Sequence, residues 1–139
     1  MNHWKNKELP ELGVVTPIFP PDIGGPASYI YELCQRLKGD FAIRGAAFCE
    51  GKALLIKNVE IHSINPRRFT FFGRQWRLWK ALKKYLRNAN TLYIQGPVVV
   101  GLLSVLFAKR FGIKSVMKFV GDIAWEEASR EGKTALSLD

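Results

Sequence analysis

The chain has 139 residues, of which 47% are hydrophobic and 24% are charged. The length fits one domain. The two fractions are typical of a globular protein and exclude a largely disordered chain. The formal net charge of +9 and the pI near 9.8 indicate an anionic partner, such as a nucleic acid, an acidic membrane or a phosphorylated small molecule. The charge is uneven, because the stretch between Glu60 and Asp122 is rich in Lys and Arg and contains no acidic residue.

The two cysteines and the first residues indicate the compartment. Cys34 and Cys49 are the only cysteines, and neither lies at the spacing of a redox motif or a metal site. His3 and His62 also lack partners at such a spacing, so no metal site is predicted. The basic start of the chain lacks the apolar segment that a secretory signal requires. We therefore expect a cytoplasmic protein with reduced, buried thiols.

Strands and helices alternate in the predicted order. The apolar run 12–16 predicts a buried strand, and the Pro- and Gly-rich run 17–25 predicts a loop. Pro26 suits the first turn of the helix that follows, and Gly39 suits its end, after about residue 38. The next predicted elements are a strand at 42–48, a third strand or a third and a fourth at 53–56 and 59–64, and a loop at 65–73.

The second half of the chain continues this alternation. The helix predicted at 74–87 has an apolar side with Leu78 and Leu82 and a basic side with Arg77. After it come a buried strand at 91–95, an almost wholly apolar helix at 98–111 ended by Gly112, a strand at 115–120 and a helix from 123. The apolar helix is shorter than the ~20 residues that a bilayer requires, so we expect it to be buried in protein.

This order predicts an α/β fold. Strands joined through helices form a mostly parallel, Rossmann-like, doubly wound sheet with helices on both faces. We expect this domain to span 12–139, after a short extension at 1–11. Ligands of such sheets bind at the carboxyl ends of the strands. Functional residues are therefore expected in three places, at 16–25, 95–97 and 121–122.

Gly24 and Gly25 lie between the first strand and the first helix. Unpaired backbone N–H groups and the helix dipole favour an anion there, and the missing Cβ atoms let a phosphate approach closely. A Gly-Gly turn without any ligand is an equally simple explanation. The pattern is neither GxGxxG nor a P-loop, which disfavours a dinucleotide cofactor or an ATPase.

The run 14–33, VVTPIFPPDIGGPASYIYEL, resembles the opening of family-4 glycosyltransferases of the GT-B fold. The resemblance extends through LYIQG at 92–96 and VMKFVGDIAWE at 116–126. It implies a retaining glycosyltransferase of the hexosyltransferase type that takes its sugar from a nucleotide diphosphate sugar. No metal and no cofactor beyond this co-substrate is implied. Gly24 and Gly25 would then lie near the donor diphosphate and the acceptor.

In such enzymes a C-terminal domain holds most of the donor, and nothing in this sequence corresponds to it. We therefore expect the chain to be the N-terminal, acceptor-side half of a GT-B fold, with little or no transferase activity alone. Its acceptor is expected to be a glycan or a lipid-linked or phosphorylated molecule at the cytoplasmic face of a membrane. A homodimer is one way to cover the surface that a C-terminal domain would otherwise protect.

Four further residues are candidates at the expected cleft. The family often has a His after the strand at 115–120, whereas this chain has Asp122 there. Asp122 is our candidate catalytic residue, and it also suits a helix N-cap, a role compatible with the first. Gln95 and Gly96 are candidates for acceptor binding, although Gly96-Pro97 also suits the start of a helix. Trp125 suits either a sugar-stacking platform or the core.

The segment 67–80 mixes cations with large aromatic residues. Such a segment suits an acidic bilayer interface or a phosphate-bearing surface, and a helix packed on the sheet with a solvated basic face is the simpler alternative. The predicted surface residues are Arg67, Arg68, Phe71, Phe72, Arg74 and Arg77.

Competing functions remain open at this point. A non-enzymatic module that binds an acidic membrane or a polyphosphate is the main alternative. Specific nucleic-acid binding is disfavoured, because no nucleic-acid motif accompanies the charge. A nucleotide-sugar epimerase of the same fold is a related possibility.

Overall fold

The computed structural model describes residues 8–119, which form a five-stranded parallel sheet with three α-helices. The strand order is β3-β2-β1-β4-β5. The strands are β1 (Glu11–Thr16), β2 (Ala42–Phe48), β3 (Val59–Ile64), β4 (Thr91–Gln95) and β5 (Lys114–Lys118). The helices are α1 (Gly25–Leu37), α2 (Phe71–Tyr85) and α3 (Gly101–Phe111), with a 3-10 turn at Pro66–Arg68. The predicted Rossmann-like α/β fold is confirmed.

Helices cover both faces of the sheet. Successive strand residues point to opposite faces, so Val14 and Val15 of β1 enter different cores, although both are fully buried. Val14 packs in the core that includes Ile30 and Cys34 of α1. Val15 packs in the core that includes residues of α2 and α3, among them Leu82. The sheet is therefore doubly wound, as the alternation of elements predicts.

Two predictions in the first half of the chain are wrong, a strand at 53–56 and a left-handed cap at Gly39. Residues 53–56 do not form a strand, since their only pairing is an isolated bridge between Ile56 and Val59. Ala53 and Ile56 are instead buried on the α1 side, where this loop covers the sheet between β2 and β3. The predicted end of α1 near residue 38 agrees with its last residue, Leu37, and its C-cap, Lys38, but Gly39 has no positive φ and is therefore not a left-handed cap.

Two helix starts also differ from the prediction. Helix α2 begins at Phe71, because the Thr70 hydroxyl caps it by accepting a hydrogen bond from the Gly73 N–H at 3.3 Å. Phe71 and Phe72 therefore belong to the first turn of α2 and not to a loop. Helix α3 begins at Gly101 rather than at 98. Its predicted end is confirmed, since Gly112 has φ 67 and caps the helix in the left-handed conformation.

Within residues 8–119, no helix combines the length and the hydropathy that a membrane span requires.

Leu82 anchors α2 to the sheet, and we predict that Leu82→Ala lowers the free energy of unfolding by about 2–5 kcal/mol, because it leaves a cavity in the core. Leu82 is fully buried. Urea denaturation followed by circular dichroism measures this change. Leu55→Ala is the matched control, since Leu55 is 79% exposed, and it should change stability by less than about 0.5 kcal/mol. Equal effects of the two substitutions would contradict the assignment of Leu82 to the core.

Candidate functional site

The sheet has a switch point between β1 and β4. These strands are neighbours, but β1 leads into α1 on one face and β4 leads into α3 on the other. The two connections therefore separate at the carboxyl ends of β1 and β4, the arrangement that produces a crevice in open α/β sheets. Ligands of open α/β sheets bind in such crevices. Two of the predicted sites, at 16–25 and 95–97, flank this crevice.

The loop between β1 and α1 is fixed at its base. Thr16 is 1% exposed, and its hydroxyl donates a hydrogen bond to the Ile18 carbonyl at 2.8 Å. Farther along the loop, the Asp22 carboxylate accepts a hydrogen bond from the Glu50 N–H at 3.1 Å. The Cys49 thiol donates to the Phe19 carbonyl at 3.4 Å. These contacts hold the loop against the segment that follows β2, so the start of α1 has a defined position.

Helix α1 begins with an open N-terminus. Gly24 is its N-cap residue and makes no side-chain capping hydrogen bond, and the first turn contains no acidic residue. A Cβ atom at Gly25 would meet nothing within 4 Å, and Pro26 follows in the first turn. The positive end of the helix dipole is therefore accessible and has no carboxylate of its own in the first turn. Gly24 has φ 167, an extended conformation that does not itself require glycine.

Gln95 connects β4 to the start of α1. Its side chain is 1% exposed, and its Nε2 donates a hydrogen bond to the Pro26 carbonyl at 2.8 Å. Its Oε1 is buried and has no hydrogen-bond partner within residues 8–119. The structure thus brings Gln95 to the same place as Gly24 and Gly25. One of the two N–H groups of the amide is engaged by the Pro26 carbonyl, and the acceptor Oε1 has no hydrogen bond among the described residues.

Gly96 shapes the turn after β4. It has φ 97, a conformation that favours glycine, and its N–H donates to the Lys118 carbonyl at 3.0 Å. A Cβ atom at Gly101 would lie 2.7 Å from the Gly96 carbonyl oxygen. The turn is therefore closed tightly against the start of α3. Its direct contact with an acceptor stays a prediction.

Sequence analysis did not identify Tyr29, Tyr93 and Lys118 as site residues. The Lys118 ammonium lies 3.2 Å from the centre of the Tyr29 ring, and Lys118 pairs in register with Gln95. The Tyr93 hydroxyl is another buried polar atom without a partner within residues 8–119. Burial raises the pKa of Tyr93, and the Tyr29 hydroxyl raises it further. The available signal was the two-residue period of β4, which places Tyr93 and Gln95 on one face.

Asp122 and Trp125 lie outside the described residues, so their predicted roles stay predictions. Within residues 8–119, no group of His, Cys, Asp and Glu side chains could hold a metal ion. Both cysteines are buried and free. Burial raises the pKa of Cys34 to about 11, so this thiol is protonated and unreactive at neutral pH.

The predicted basic and aromatic surface divides into two parts. Three of its arginines contact Glu50 or Phe69, near the end of β3. Arg67 Nε lies 2.7 Å from a Glu50 carboxylate oxygen, Arg74 donates to the Phe69 carbonyl at 3.3 Å, and the Arg77 guanidinium lies 4.8 Å from the centre of the Phe69 ring. Arg68 lines a cavity at the same place. In contrast, Phe71 and Phe72 are 58% and 82% exposed on α2.

The apolar helix α3 packs in the core on one face, through Phe107 and Ala108, but its other face is exposed. Leu102 is 70% exposed and Leu106 is 51% exposed on α3, and Val98 before it is 62% exposed. On α2, Trp76 is 60% exposed. A mostly apolar cleft between the two helices is lined by Phe72, Gln75, Trp76, Trp79 and Leu103. We call the exposed residues Phe72, Trp76, Leu102 and Leu106 the α2–α3 apolar surface.

Comparisons with known proteins identify the fold. No family model and no curated protein sequence matches this chain. Among solved structures, the chain is similar to two crystal structures of the C-terminal domain of a hydrogenase from Pyrococcus furiosus. The alignment with the first has a TM-score of 0.55 at 11% identity, and it covers 81% of this chain and 94% of the hydrogenase chain. The other has a TM-score of 0.54 at 8% identity, with 81% and 93% covered. At these identities the likeness shows a shared α/β fold alone.

Gln95 provides a test of this geometry. We predict that Gln95→Glu is tolerated in acid and destabilises the fold at higher pH, because a protonated carboxyl can donate to the Pro26 carbonyl and a buried carboxylate cannot. Burial raises the folded pKa above the unfolded value of about 4.3. Stability is therefore retained below about pH 4 and is lost as the pH rises through the folded pKa. At pH 8 we expect Gln95→Glu to lower the free energy of unfolding by roughly 2–4 kcal/mol, as measured by urea denaturation.

Gln75→Glu is the matched control for Gln95→Glu. The Gln75 Nε2 also donates to a backbone carbonyl, that of Val99, at 2.8 Å, but this contact is exposed. The carboxylate that Gln75→Glu introduces stays solvated. The free energy of unfolding should therefore fall by less than about 1.5 kcal/mol, and this change should vary little between pH 5 and pH 8. A Gln95→Glu variant without pH dependence would contradict the burial of this side chain.

Proposed function

We propose that the described residues belong to the acceptor-side half of a retaining glycosyltransferase, of the hexosyltransferase type, that uses a nucleotide diphosphate sugar. The contact between Gln95 and Pro26 carries this proposal. It joins the two loops at the switch point and places a buried acceptor, Oε1, beside the open N-terminus of α1. A hydroxyl of a sugar can donate to this oxygen, while the helix N-terminus favours a diphosphate.

The charges near the crevice support an anionic ligand. Lys118 ends β5 in register with Gln95, and its ammonium lies on the Tyr29 ring of α1. A fixed cation and a helix N-terminus together stabilise the charge that develops on a departing nucleoside diphosphate. The proposal includes the predicted roles of Asp122 as the catalytic residue and of Trp125 in acceptor binding. No metal or further cofactor takes part in this proposal.

A variant of Gly25 tests whether the start of α1 binds a diphosphate. We expect UDP-glucose or GDP-mannose, used as probes, to shift the amide NMR signals of Gly25 and Ala27. Gly25→Asp should weaken binding by about tenfold or more, since it places a negative charge beside the diphosphate. The space at Gly25 is open, and an acidic residue in the first turn of a helix favours the helix, so the fold should be preserved.

Gly39→Asp is the control for this measurement. The space at Gly39 is also open, and the substitution changes the net charge by the same amount beyond the other end of α1. It should leave the affinity within about twofold of the original, because solvent and salt screen a charge this far from the site. Equal weakening by both variants, or no shift at Gly25 and Ala27, would overturn the proposal.

We also propose that the protein is cytoplasmic and binds peripherally to an acidic membrane, where a lipid-linked acceptor would be found. The α2–α3 apolar surface combines exposed aromatic and aliphatic side chains with neighbouring cations. Lys80 lies 5.4 Å from the Trp76 ring, and Arg110 lies 5.6 Å from the Phe111 ring. Neither α2 nor α3 contains an acidic residue. Such a surface is complementary to anionic headgroups, with about 1 kcal/mol from each basic residue near them.

Vesicle cosedimentation tests the membrane surface. The whole chain should bind vesicles that contain phosphatidylglycerol more tightly than vesicles of phosphatidylcholine alone. The double variant Trp76→Ser/Leu102→Ser should weaken binding by about tenfold or more, because it removes the apolar contribution. Leu55→Ser, at a 79% exposed residue outside this surface, should bind as the original chain does.

Sedimentation velocity separates a membrane surface from a dimer interface. If the double variant binds vesicles normally and converts a dimer into a monomer, the α2–α3 apolar surface is the contact of a homodimer and the membrane proposal is wrong.

A further inference from the structure

We propose that the cavity at the carboxyl end of β3 is a second anion site, which binds a phosphate-bearing ligand. The cavity has a volume of about 530 Å³, which lies within the range of small-molecule sites. It is formed by the segments that follow β2 and β3 and by α2. β3 is an edge strand and lies two strands from β1, which is about 10 Å. The cavity is therefore separate from the crevice at the switch point, and this inference does not rest on the proposed glycosyl transfer.

The lining of the cavity is positively charged. Lys52, Arg68 and Arg77 line it, and Glu50 is its acidic lining residue. The Glu50 carboxylate is already paired with Arg67 at 2.7 Å. Among residues 8–119, no ion pair involves Lys52, Arg68 or Arg77. Three cations without a carboxylate of their own favour an anionic ligand at this place.

Arg77 is oriented for a ligand with several oxygen atoms. Its guanidinium lies 4.8 Å from the centre of the Phe69 ring, and the Phe69 carbonyl is in turn held by Arg74 at 3.3 Å. An arginine that stacks on an aromatic ring keeps its N–H groups directed in the plane of the guanidinium. Those groups form a fork that matches two oxygens of a phosphate.

The walls of the cavity are connected by hydrogen bonds. The Asn65 side chain accepts from the Arg67 N–H at 2.9 Å and donates to the Glu50 carbonyl at 2.8 Å. The Asp22 carboxylate accepts from the Glu50 N–H. The segments after β1, β2 and β3 are thus linked to one another. Because the walls are already ordered, a ligand would not have to supply the ordering free energy.

Uncharged donors extend the site. His62 and Ser63 also line the cavity. Partial burial and the Lys84 ammonium lower the pKa of His62, against the Glu60 carboxylate, which raises it. A lowered pKa favours the neutral ring, which offers one N–H donor. A phosphate, with three acceptor oxygens, uses this combination of a guanidinium fork, further cations and neutral donors more fully than a carboxylate does.

The experiment is a titration of the whole chain with inorganic pyrophosphate, followed by NMR and calorimetry, in roughly 150 mM salt to screen distant charges. We expect saturable shifts of the His62 ring and the Ser63 amide. Arg68→Gln and Arg77→Gln should each weaken binding by about tenfold or more. Arg77→Lys should also weaken it, because the variant keeps the charge and loses the fork.

Arg87→Gln is the matched control. Arg87 also lies on an aromatic ring, 5.3 Å from the centre of Phe111, and is not part of the cavity lining. Its replacement removes the same charge and should leave the affinity unchanged. The proposal is overturned if Arg87→Gln weakens binding as much as Arg77→Gln, if binding does not saturate, or if succinate binds as tightly as pyrophosphate.

A further arm identifies the source of the phosphate. Vesicles that contain phosphatidic acid are added to the complex with pyrophosphate. Displacement of pyrophosphate from the cavity supports a lipid phosphate as the ligand, and the absence of displacement supports a soluble phosphate ester. Pyrophosphate binding is followed by the NMR signals of His62 and Ser63, whereas nucleotide-sugar binding is followed by those of Gly25 and Ala27. The proposed anion site and the proposed glycosyl transfer can therefore be contradicted independently of each other.

Discussion

The burial of β1 on both faces, from Leu12 to Thr16, is the constraint on which the rest of the structure depends. β1 pairs with β2 on one side and with β4 on the other, and its two faces enter two different cores. Because both faces must be covered, the chain has to leave the sheet on opposite sides after β1 and after β4. The crevice at the switch point is a direct consequence. Any ligand site at the end of β1 therefore follows from the same packing that stabilises the domain.

Gln95 shows how a polar contact in the core contributes to a site. The side chain is almost fully buried, and its Nε2 donates one hydrogen bond to the first turn of α1. This bond fixes the helix start against β4, but it leaves Oε1 without a partner among the described residues. A buried polar atom without a hydrogen bond is costly, and a ligand hydroxyl in the crevice would relieve that cost. The same residue thus links the stability of the domain to its proposed function.

The positive charge of the chain has more than one role. Near β3, arginines contact Phe69 and Glu50 around a polar cavity. On α2 and α3, cations lie on aromatic rings beside exposed apolar residues. At the end of β5, Lys118 lies on Tyr29 next to the crevice. Sequence alone presents these residues as one basic stretch, but the fold distributes them over three surfaces with different chemistry.

The sequence by itself determined the fold class, most element boundaries and the carboxyl-end location of the candidate loops. Apolar periodicity and Pro or Gly at the ends are local signals, which explains why β4 and the Gly112 cap agree with the prediction. Only the tertiary structure decided that Gln95 reaches Pro26, that Phe71 and Phe72 lie in a helix, and that Leu102 is exposed. A side-chain contact across 69 residues depends on strand order, which periodicity does not encode. The exposure of an apolar helix likewise depends on which elements cover it, a property of the packed domain and not of the helix.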